Sequence, residues 1–141
     1  MPSEKLTARC YCGASRLTFD KPPATVAYCH CSDCRRWTGA PVAAFAAVAR
    51  AEIEAQLPAQ PYHASSGAKR WHCPICHSPL AASFSYLPDQ LYIPIGIVDQ
   101  ADQLAPEMHS HIDSALPWLH IDDDLPRSGA SSRAMLNKAF K

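Results

Sequence analysis

The sequence lacks the long apolar runs that mark membrane-spanning and secreted proteins. No stretch approaches the roughly 20 apolar residues of a transmembrane helix, and the most apolar stretch, residues 41–49, has about half that length. The first ten residues, MPSEKLTARC, contain no apolar segment and no small-residue cleavage site, so we expect no secretory signal peptide. We therefore expect a cytoplasmic protein with no membrane partner.

The sequence also lacks an excess of charge of either sign. Thirteen Lys and Arg residues balance thirteen Asp and Glu residues, which gives a formal net charge of zero. A nucleic-acid-binding domain usually carries a clear basic excess. We therefore expect no nucleic-acid partner, although Arg35 and Arg36 could form a local basic patch.

The length of the chain, its prolines and its short apolar runs predict a single, mainly β domain. The chain has 141 residues, of which 48% are hydrophobic, and its 13 prolines are spread along its length. Proline removes a backbone donor and clashes with the preceding turn, so long helices are not expected. Runs of β-branched and aromatic residues bounded by turn formers predict strands around residues 5–10, 14–19, 25–28, 42–48, 62–64, 69–72, 81–86 and 90–97.

Several segments carry more specific expectations. Residues 40–56 are ambiguous, because alanine favours helices while the pattern has no clean period of two. A hairpin is predicted to turn at residues 87–89, whose sequence Leu-Pro-Asp favours turns. The acidic run at residues 122–124 is expected to be a solvated turn. We predict a zinc-binding domain over residues 1–125 and a loosely attached tail over 126–141, with a possible short helix at 131–141.

Seven cysteines form three tight groups: Cys10 and Cys12, then Cys29, Cys31 and Cys34, then Cys73 and Cys76. A disulfide framework would need an oxidising compartment and usually an even count, and neither is expected here. The count instead divides into four plus three. Four thiolates close a tetrahedral zinc site, whereas three leave a coordination position free for water or a substrate. We predict one structural and one chemically open zinc.

Spacing alone does not decide which groups share a metal. One possibility is a zinc-ribbon arrangement of Cys31, Cys34, Cys73 and Cys76, with Cys10 and Cys12 joining Cys29. Histidines at positions 30, 72 and 77 could also enter a shell. A histidine beside ligating cysteines, however, more often packs or bonds to the backbone.

Four blocks of the sequence resemble the glutathione-dependent formaldehyde-activating family, which also includes centromere protein V. The blocks are residues 10–13 (CYCG), 29–40 (CHCSDCRRWTGA), 72–80 (HCPICHSPL) and 93–118. The resemblance covers nearly the whole chain before the tail. One departure is His77, which stands where the family usually has glycine, and it implies a different turn or mild strain.

The resemblance implies an Mss4-like fold of short antiparallel sheets held by two zinc ions. It implies that the structural zinc is held by Cys10, Cys12, Cys73 and Cys76, and the catalytic zinc by Cys29, Cys31 and Cys34. The implied activity is that of a carbon-sulfur lyase, an S-(hydroxymethyl)glutathione synthase that joins formaldehyde to glutathione. A thiol can bind the soft three-thiolate zinc and lose its proton there, while Arg35 or Arg36 is expected to steer its carboxylate.

Several questions stay open at the level of sequence. The group that delivers a proton to the developing alkoxide could be His30, Asp33, His109, His111 or a water molecule. A non-catalytic, zinc-stabilised binding module is the main alternative, because fold alone does not decide function; in such a module His30 could close the shell of the central trio. Thiol redox chemistry, known on the same fold, is disfavoured because every cysteine is already assigned to a zinc group.

Overall fold

Short β-strands dominate the structure, a computed structural model that describes residues 5–19, 23–55, 57–58 and 60–131. The strands in these ranges are β1 (Leu6–Arg9), β2 (Arg16–Phe19), β3 (Thr25–Cys29), β4 (Ala43–Ala49), β5 (Ile53–Ala55), β6 (Tyr62–His63), β7 (Ala68–His72), β8 (Pro79–Phe84), β9 (Leu87–Pro94) and β10 (Met108–Ser110). Short 3-10 turns follow at Arg50–Glu52, Ile95–Ile97, Ala101–Gln103 and Ile112–Ser114. The prediction of a mainly β chain is confirmed.

The strands form two sheets. The smaller has the order β1-β2-β5 and the larger the order β10-β3-β4-β9-β8-β7-β6. All named pairs are antiparallel except β10 with β3, which is parallel. An isolated bridge between Ala8 and Val98 connects β1 to the segment that follows β9.

The alanine-rich segment forms the central strand β4, which is buried on both faces. Ala46 and Val48 pack into the core beneath the smaller sheet, together with Leu17 and Phe19. The alternate residues of β4, including Phe45, belong to a second cluster on the opposite face of the larger sheet. A strand buried on both faces reads as a continuous apolar run without period-two alternation, which explains why the sequence pattern was ambiguous.

The sequence did not predict the α-helix α1 (Ser32–Thr38), which lies inside the central cysteine group. The sulfur of Cys31 caps its N-terminus by accepting from the backbone N–H of Cys34, and Gly39 ends it with φ 74°. Asp33 in the first turn and a glycine just past the end are recognisable helix signals. At seven residues, α1 is far too short to span a membrane, and the described residues contain no other helix that could.

The predicted hairpin turn and the predicted end of the last strand were wrong, and β5 and β10 were not predicted. The β8–β9 hairpin turns at residues 85–86 and not at 87–89, because Pro88 is accommodated near the start of β9, where the register with β8 shifts between Ala82 and Phe84. A proline is tolerated at such an irregular strand end since the missing N–H interrupts no regular ladder. Strand β9 also ends at Pro94, after which Ile95–Ile97 form a 3-10 turn.

The segment after the acidic run pairs with β10. Ser128 donates its backbone N–H to the carbonyl of His109, and His111 donates to the carbonyl of Ala130. Asp123 accepts hydrogen bonds from His109 and Arg127 and is therefore not part of a purely solvated turn. The predicted helix at residues 131–141 falls almost wholly on positions outside the described residues, so the division of the chain at residue 125 stays a prediction.

Candidate metal centres and active-site cavity

Four cysteines on two turns, one turn from each sheet, come together in one cluster. Cys10 and Cys12 lie on the turn between β1 and β2, and Cys73 and Cys76 lie on the turn between β7 and β8. Their four sulfurs lie within 4.8 Å of one another, with 3.6 Å between Cys10 and Cys12 and 3.8 Å between Cys12 and Cys73. We call this set the four-cysteine cluster.

Backbone N–H groups and a serine hydroxyl surround these sulfurs. Ser15 donates its N–H to the Cys10 sulfur at 3.3 Å, and Ile75 donates to Cys73 at 3.4 Å. The Ser78 hydroxyl lies 3.2 Å from the Cys76 sulfur and accepts from the N–H of Tyr11 at 3.0 Å. Hydrogen bonds of this kind favour thiolates, which are the form that binds metal.

The pKa values of two cysteines follow this environment. The hydrogen bond from the Ser78 side chain lowers the pKa of Cys76 to about 5. The hydrogen bond from the Ser15 side chain, and next those from backbone N–H groups, lower the pKa of Cys73 to about 7. A backbone hydrogen bond at Ala14 acts to lower the pKa of Cys12, but desolvation and hydrogen bonds to the other three cysteines outweigh it and raise that pKa to about 11. Thiolates near neutral pH are therefore favoured at Cys73 and Cys76 and not at Cys12.

His77 completes the second turn in a left-handed conformation. Its φ is 65°, and its N–H donates to the carbonyl of Cys73 at 2.9 Å. The turn is thus the one that favours glycine, and the histidine is accommodated there with mild strain.

The central three cysteines form a second cluster, the three-cysteine cluster. Cys29 ends β3, Cys31 caps α1, and Cys34 lies in the first turn of that helix. The Cys29 sulfur is 3.4 Å from that of Cys31 and 3.3 Å from that of Cys34. Cys29 donates its S–H to the sulfurs of Cys31 and Cys34, which raises the pKa of Cys29, whereas hydrogen bonds from Cys29 and then Cys34 lower the pKa of Cys31. Without metal, the cluster thus holds negative charge preferentially on Cys31.

His30 points away from the sulfurs that flank it. Its Nε2 lies 2.8 Å from Nδ1 of His109, and Nε2 of His109 lies 2.9 Å from the Asp123 carboxylate. Burial, and next the charge of His109, lowers the pKa of His30, while the His109 hydrogen bond lowers that of Asp123 to about 2. Arg127 braces Asp123 from the other side at 3.0 Å. This chain of hydrogen bonds runs from the buried His30 and His109 to the partly exposed Asp123 and Arg127, and His30 does not join the metal-binding set.

His111, and not His30, lies beside the sulfurs of the three-cysteine cluster. One of its ring nitrogens lies within 4.8 Å of the sulfurs of Cys29 and Cys31. The parallel pairing of β10 with β3 sets Ser110 opposite Cys29, and a left-handed backbone at His111, with φ 55°, then ends the strand. In a regular strand His109 and His111 would share a face. The left-handed turn assigns them to different surroundings, which no local sequence signal predicts.

The three-cysteine cluster opens onto a cavity of about 350 Å³. Apolar side chains of the larger sheet form much of its wall, and His111, Asp33 and Arg70 also line it. Burial raises the pKa of Tyr92 in this wall, and its hydroxyl donates to the side-chain carbonyl of Gln90. By volume and lining, this cavity suits a small organic ligand.

The two arginines predicted to bind substrate lie elsewhere. Arg35 and Arg36 line a second depression, which shares Ser32 with the cavity. Their role stays a prediction. The arginine that does line the cavity of the three-cysteine cluster is Arg70 on β7, which belongs to none of the cysteine motifs.

The donor sets fit zinc. With a zinc–sulfur bond of about 2.3 Å, a tetrahedral shell has sulfurs about 3.8 Å apart, close to the 3.6 and 3.8 Å separations in the four-cysteine cluster. Sulfurs in the three-cysteine cluster are slightly closer, at 3.3 and 3.4 Å, and need only spread by a few tenths of an ångström. The described residues do not group Cys31 and Cys34 with Cys73 and Cys76, so the zinc-ribbon alternative is not what the fold assembles.

Comparison with known proteins identifies the protein family of this chain. The family model described as "Glutathione-dependent formaldehyde-activating enzyme" matches residues 5–114. The chain belongs to that family, as its motifs indicated.

One solved structure and a search of curated proteins complete the comparison. The crystal structure of a Rhodobacter sphaeroides protein is similar with a TM-score of 0.54 and 20% sequence identity, covering 86% of this chain and 99% of that one. At this identity the likeness concerns the fold alone. No curated protein matches the chain.

Proposed function

We propose that this protein is a zinc-dependent carbon-sulfur lyase that joins formaldehyde, or a similar aldehyde, to the thiol of glutathione. The three-cysteine cluster and its cavity carry the proposal, because they combine three metal-binding sulfurs with space for a ligand. The family to which the chain belongs supports formaldehyde activation as the general activity. We further propose a cytoplasmic location, where thiols are kept reduced.

The division of labour between the clusters follows from their surroundings. We assign a structural zinc to Cys10, Cys12, Cys73 and Cys76, and a catalytic zinc to Cys29, Cys31 and Cys34. The chemistry that a bound zinc supplies at a three-thiolate site is the deprotonation of a further thiol at neutral pH. The cavity walls hold thiol and aldehyde together, so that proximity contributes to the rate.

The reaction needs neither an oxidant nor a reductant. The sulfur of glutathione forms a bond to the formaldehyde carbon, the carbonyl π bond breaks, and the proton lost from sulfur ends on oxygen. We assign that proton transfer to His111 or Asp33, both of which line the cavity. His30 and His109 bond to each other outside this cavity, so they are not candidates.

The test is the rate of adduct formation in the zinc-loaded protein. Exchange between free 13C-formaldehyde and S-(hydroxymethyl)glutathione is measured by NMR with and without enzyme, and native mass spectrometry counts the zinc ions and bound glutathione. We expect two zincs, one glutathione and faster exchange in the wild type. In Cys34→Ser we expect a folded protein with one zinc, no glutathione and no acceleration. Unchanged acceleration in that variant would overturn the proposal.

His111 favours a second candidate, a binding module without catalysis. The ring of His111 groups with the sulfurs of Cys29 and Cys31; if it also occupies the fourth position of a zinc held by Cys34, the site has a closed Cys3His shell like those of structural zinc proteins. Cobalt substitution distinguishes the two functions, since a thiol that joins the shell changes the visible spectrum. A spectrum that responds to glutathione supports the lyase, and one that does not respond supports the module.

A further inference from the structure

We propose that Arg70 forms an anion-binding subsite in the cavity of the three-cysteine cluster and selects thiol substrates that carry a carboxylate. This inference rests on the proposed function in one respect only, the binding of the substrate's sulfur at the three-cysteine cluster. It names the group that recognises the other end of the substrate.

Arg70 is a buried cation held between aromatic rings. Arg70 is only 6% exposed, and it lies on β7, where it pairs with Ala82 of β8. The guanidinium carbon lies 4.6 Å from the ring centre of Trp37 and 5.7 Å from that of Phe84. These rings fix the plane of the guanidinium, and a fixed guanidinium loses little freedom when it binds a planar anion.

The guanidinium has hydrogen-bonding capacity that its surroundings do not use. Its Nη1 is buried and has no acceptor among the described residues, and no carboxylate in that part of the chain pairs with Arg70. Asp33 also lines the cavity, yet it forms no ion pair with this arginine. Because an unpaired buried charge is costly, such a group is usually completed by an ionic partner.

Arg70 and the metal-binding sulfurs share one cavity. Arg70 lines the same space of about 350 Å³ as Cys29, Cys31 and Cys34. A small thiol held by sulfur at the cluster can therefore present a carboxylate to Arg70, with apolar wall residues such as Phe45 and Leu87 along its carbon chain. Arginine binds carboxylates through two parallel hydrogen bonds, which gives geometric selectivity as well as affinity.

Arg35 and Arg36 are less suited to this task. They line a neighbouring depression that has Ser32 in common with the cavity, and Arg36 is exposed to solvent. Arg35 has one buried unpartnered atom, Nε, but does not line the cavity. The subsite is therefore assigned to Arg70 in place of the two arginines that follow the cysteine motif.

A different role for Arg70 would be to balance the negative charge of three thiolates. The two roles predict different substrate dependence. A residue that balances charge would affect the binding of the metal and of every thiol alike. An anion subsite would affect only the binding of thiols that carry a carboxylate.

The first experiment compares two thiols of nearly equal size, 3-mercaptopropionate and 3-mercapto-1-propanol, by calorimetric titration into the zinc-loaded protein. We expect the wild type to prefer the carboxylate by roughly 10- to 100-fold, the range for a charged hydrogen-bonded pair. Arg70→Met should abolish the preference and change binding of the alcohol less than about threefold. Arg70→Lys, which keeps the charge but not the fork, should retain part of it.

Arg50→Met is the matched control. Arg50 also stacks on a tryptophan, with 5.9 Å to the ring centre of Trp71, but it is exposed and does not line the cavity. Its replacement should leave the preference intact. An unchanged preference in both Arg70 variants, or an equal loss of both thiols, would overturn the subsite.

A second measurement separates this proposal from the lyase function. Propionate and 1-propanol, which lack sulfur, are titrated while the Nε–H signal of Arg70 is followed by NMR, with Arg70→Lys identifying the signal. A shift with propionate alone supports the subsite even if neither thiol binds, in which case only the lyase proposal fails. Binding of both thiols without any preference for the carboxylate, and without a propionate shift, overturns the subsite and leaves the lyase proposal standing.

Discussion

The two cysteine clusters use the same ligand chemistry in opposite settings. In the four-cysteine cluster, four sulfurs face one another across two turns, and Cys10 and Cys73 are almost fully buried. In the three-cysteine cluster, three sulfurs at the start of a helix face a cavity that also holds His111 and Arg70. In the proposed function, the number of sulfurs and the space beside them, more than the type of ligand, separate a site for stability from a site for chemistry.

The largest difference is expected when one sulfur is removed from each cluster in turn. Cys73→Ser should cost several kcal/mol of folding free energy or prevent folding, because metal binding at a closed site contributes directly to folding. Cys31→Ser should lose one metal and remain folded. Metal analysis and thermal unfolding by circular dichroism measure both effects. Equal destabilisation by the two changes would mean that both clusters are structural.

The Ser78 hydroxyl offers a smaller change within the four-cysteine cluster. Ser78→Ala removes the hydrogen bond that lowers the pKa of Cys76 to about 5, and the loss of such an outer partner should weaken metal affinity roughly 10- to 100-fold. Metal binding requires the thiolate, so uptake is supported above the pKa of Cys76 and lost below it. Since this pKa rises in the variant, the midpoint of metal uptake should move to higher pH. Chelator competition across the pH range measures this, and Ser83→Ala, in a strand away from the cluster, is the control.

Replacement of His111 tests how open the three-cysteine cluster is. If the imidazole competes with a substrate thiol for the fourth position, His111→Ala should bind glutathione about tenfold more tightly, because the open state no longer has to be populated first. The visible spectrum of the cobalt-loaded variant should also lose its histidine-dependent features before glutathione is added. An unchanged spectrum and unchanged affinity would show that His111 stays outside the shell.

The smallest effect is expected from His77→Gly. A left-handed backbone costs a residue with a side chain about 1–2 kcal/mol, and the extra freedom of glycine in the unfolded chain offsets about half of that. The variant should therefore be more stable by roughly 0.5–1 kcal/mol, visible as a rise in the unfolding midpoint. His72→Gly has no such strain to relieve and should be destabilising; the same gain in both variants would contradict the role of the turn.

The parts of the molecule that the sequence predicted well are those with local signals. Residues such as Leu17 and Val26 lie in strands that flanking turn formers mark out, and those strands were found near the predicted positions. The cysteine motifs predicted metal binding because their spacing places two sulfurs on one turn. The helix α1 was missed although Asp33 and Gly39 mark its ends, since a seven-residue helix inside a cysteine motif has little room for an apolar period.

The composition and motifs of the chain by themselves determined a mainly β domain, two candidate metal sets and membership of a formaldehyde-activating family, because each depends on residues close in sequence. Tertiary structure decided the rest. It joined Cys10 and Cys12 to Cys73 and Cys76, turned His30 away and brought His111 in through parallel pairing of β10 with β3. It also set Arg70 of β7 in the cavity of cysteines some 40 positions earlier in the chain. Such contacts depend on strand order and register, which no short stretch of sequence encodes.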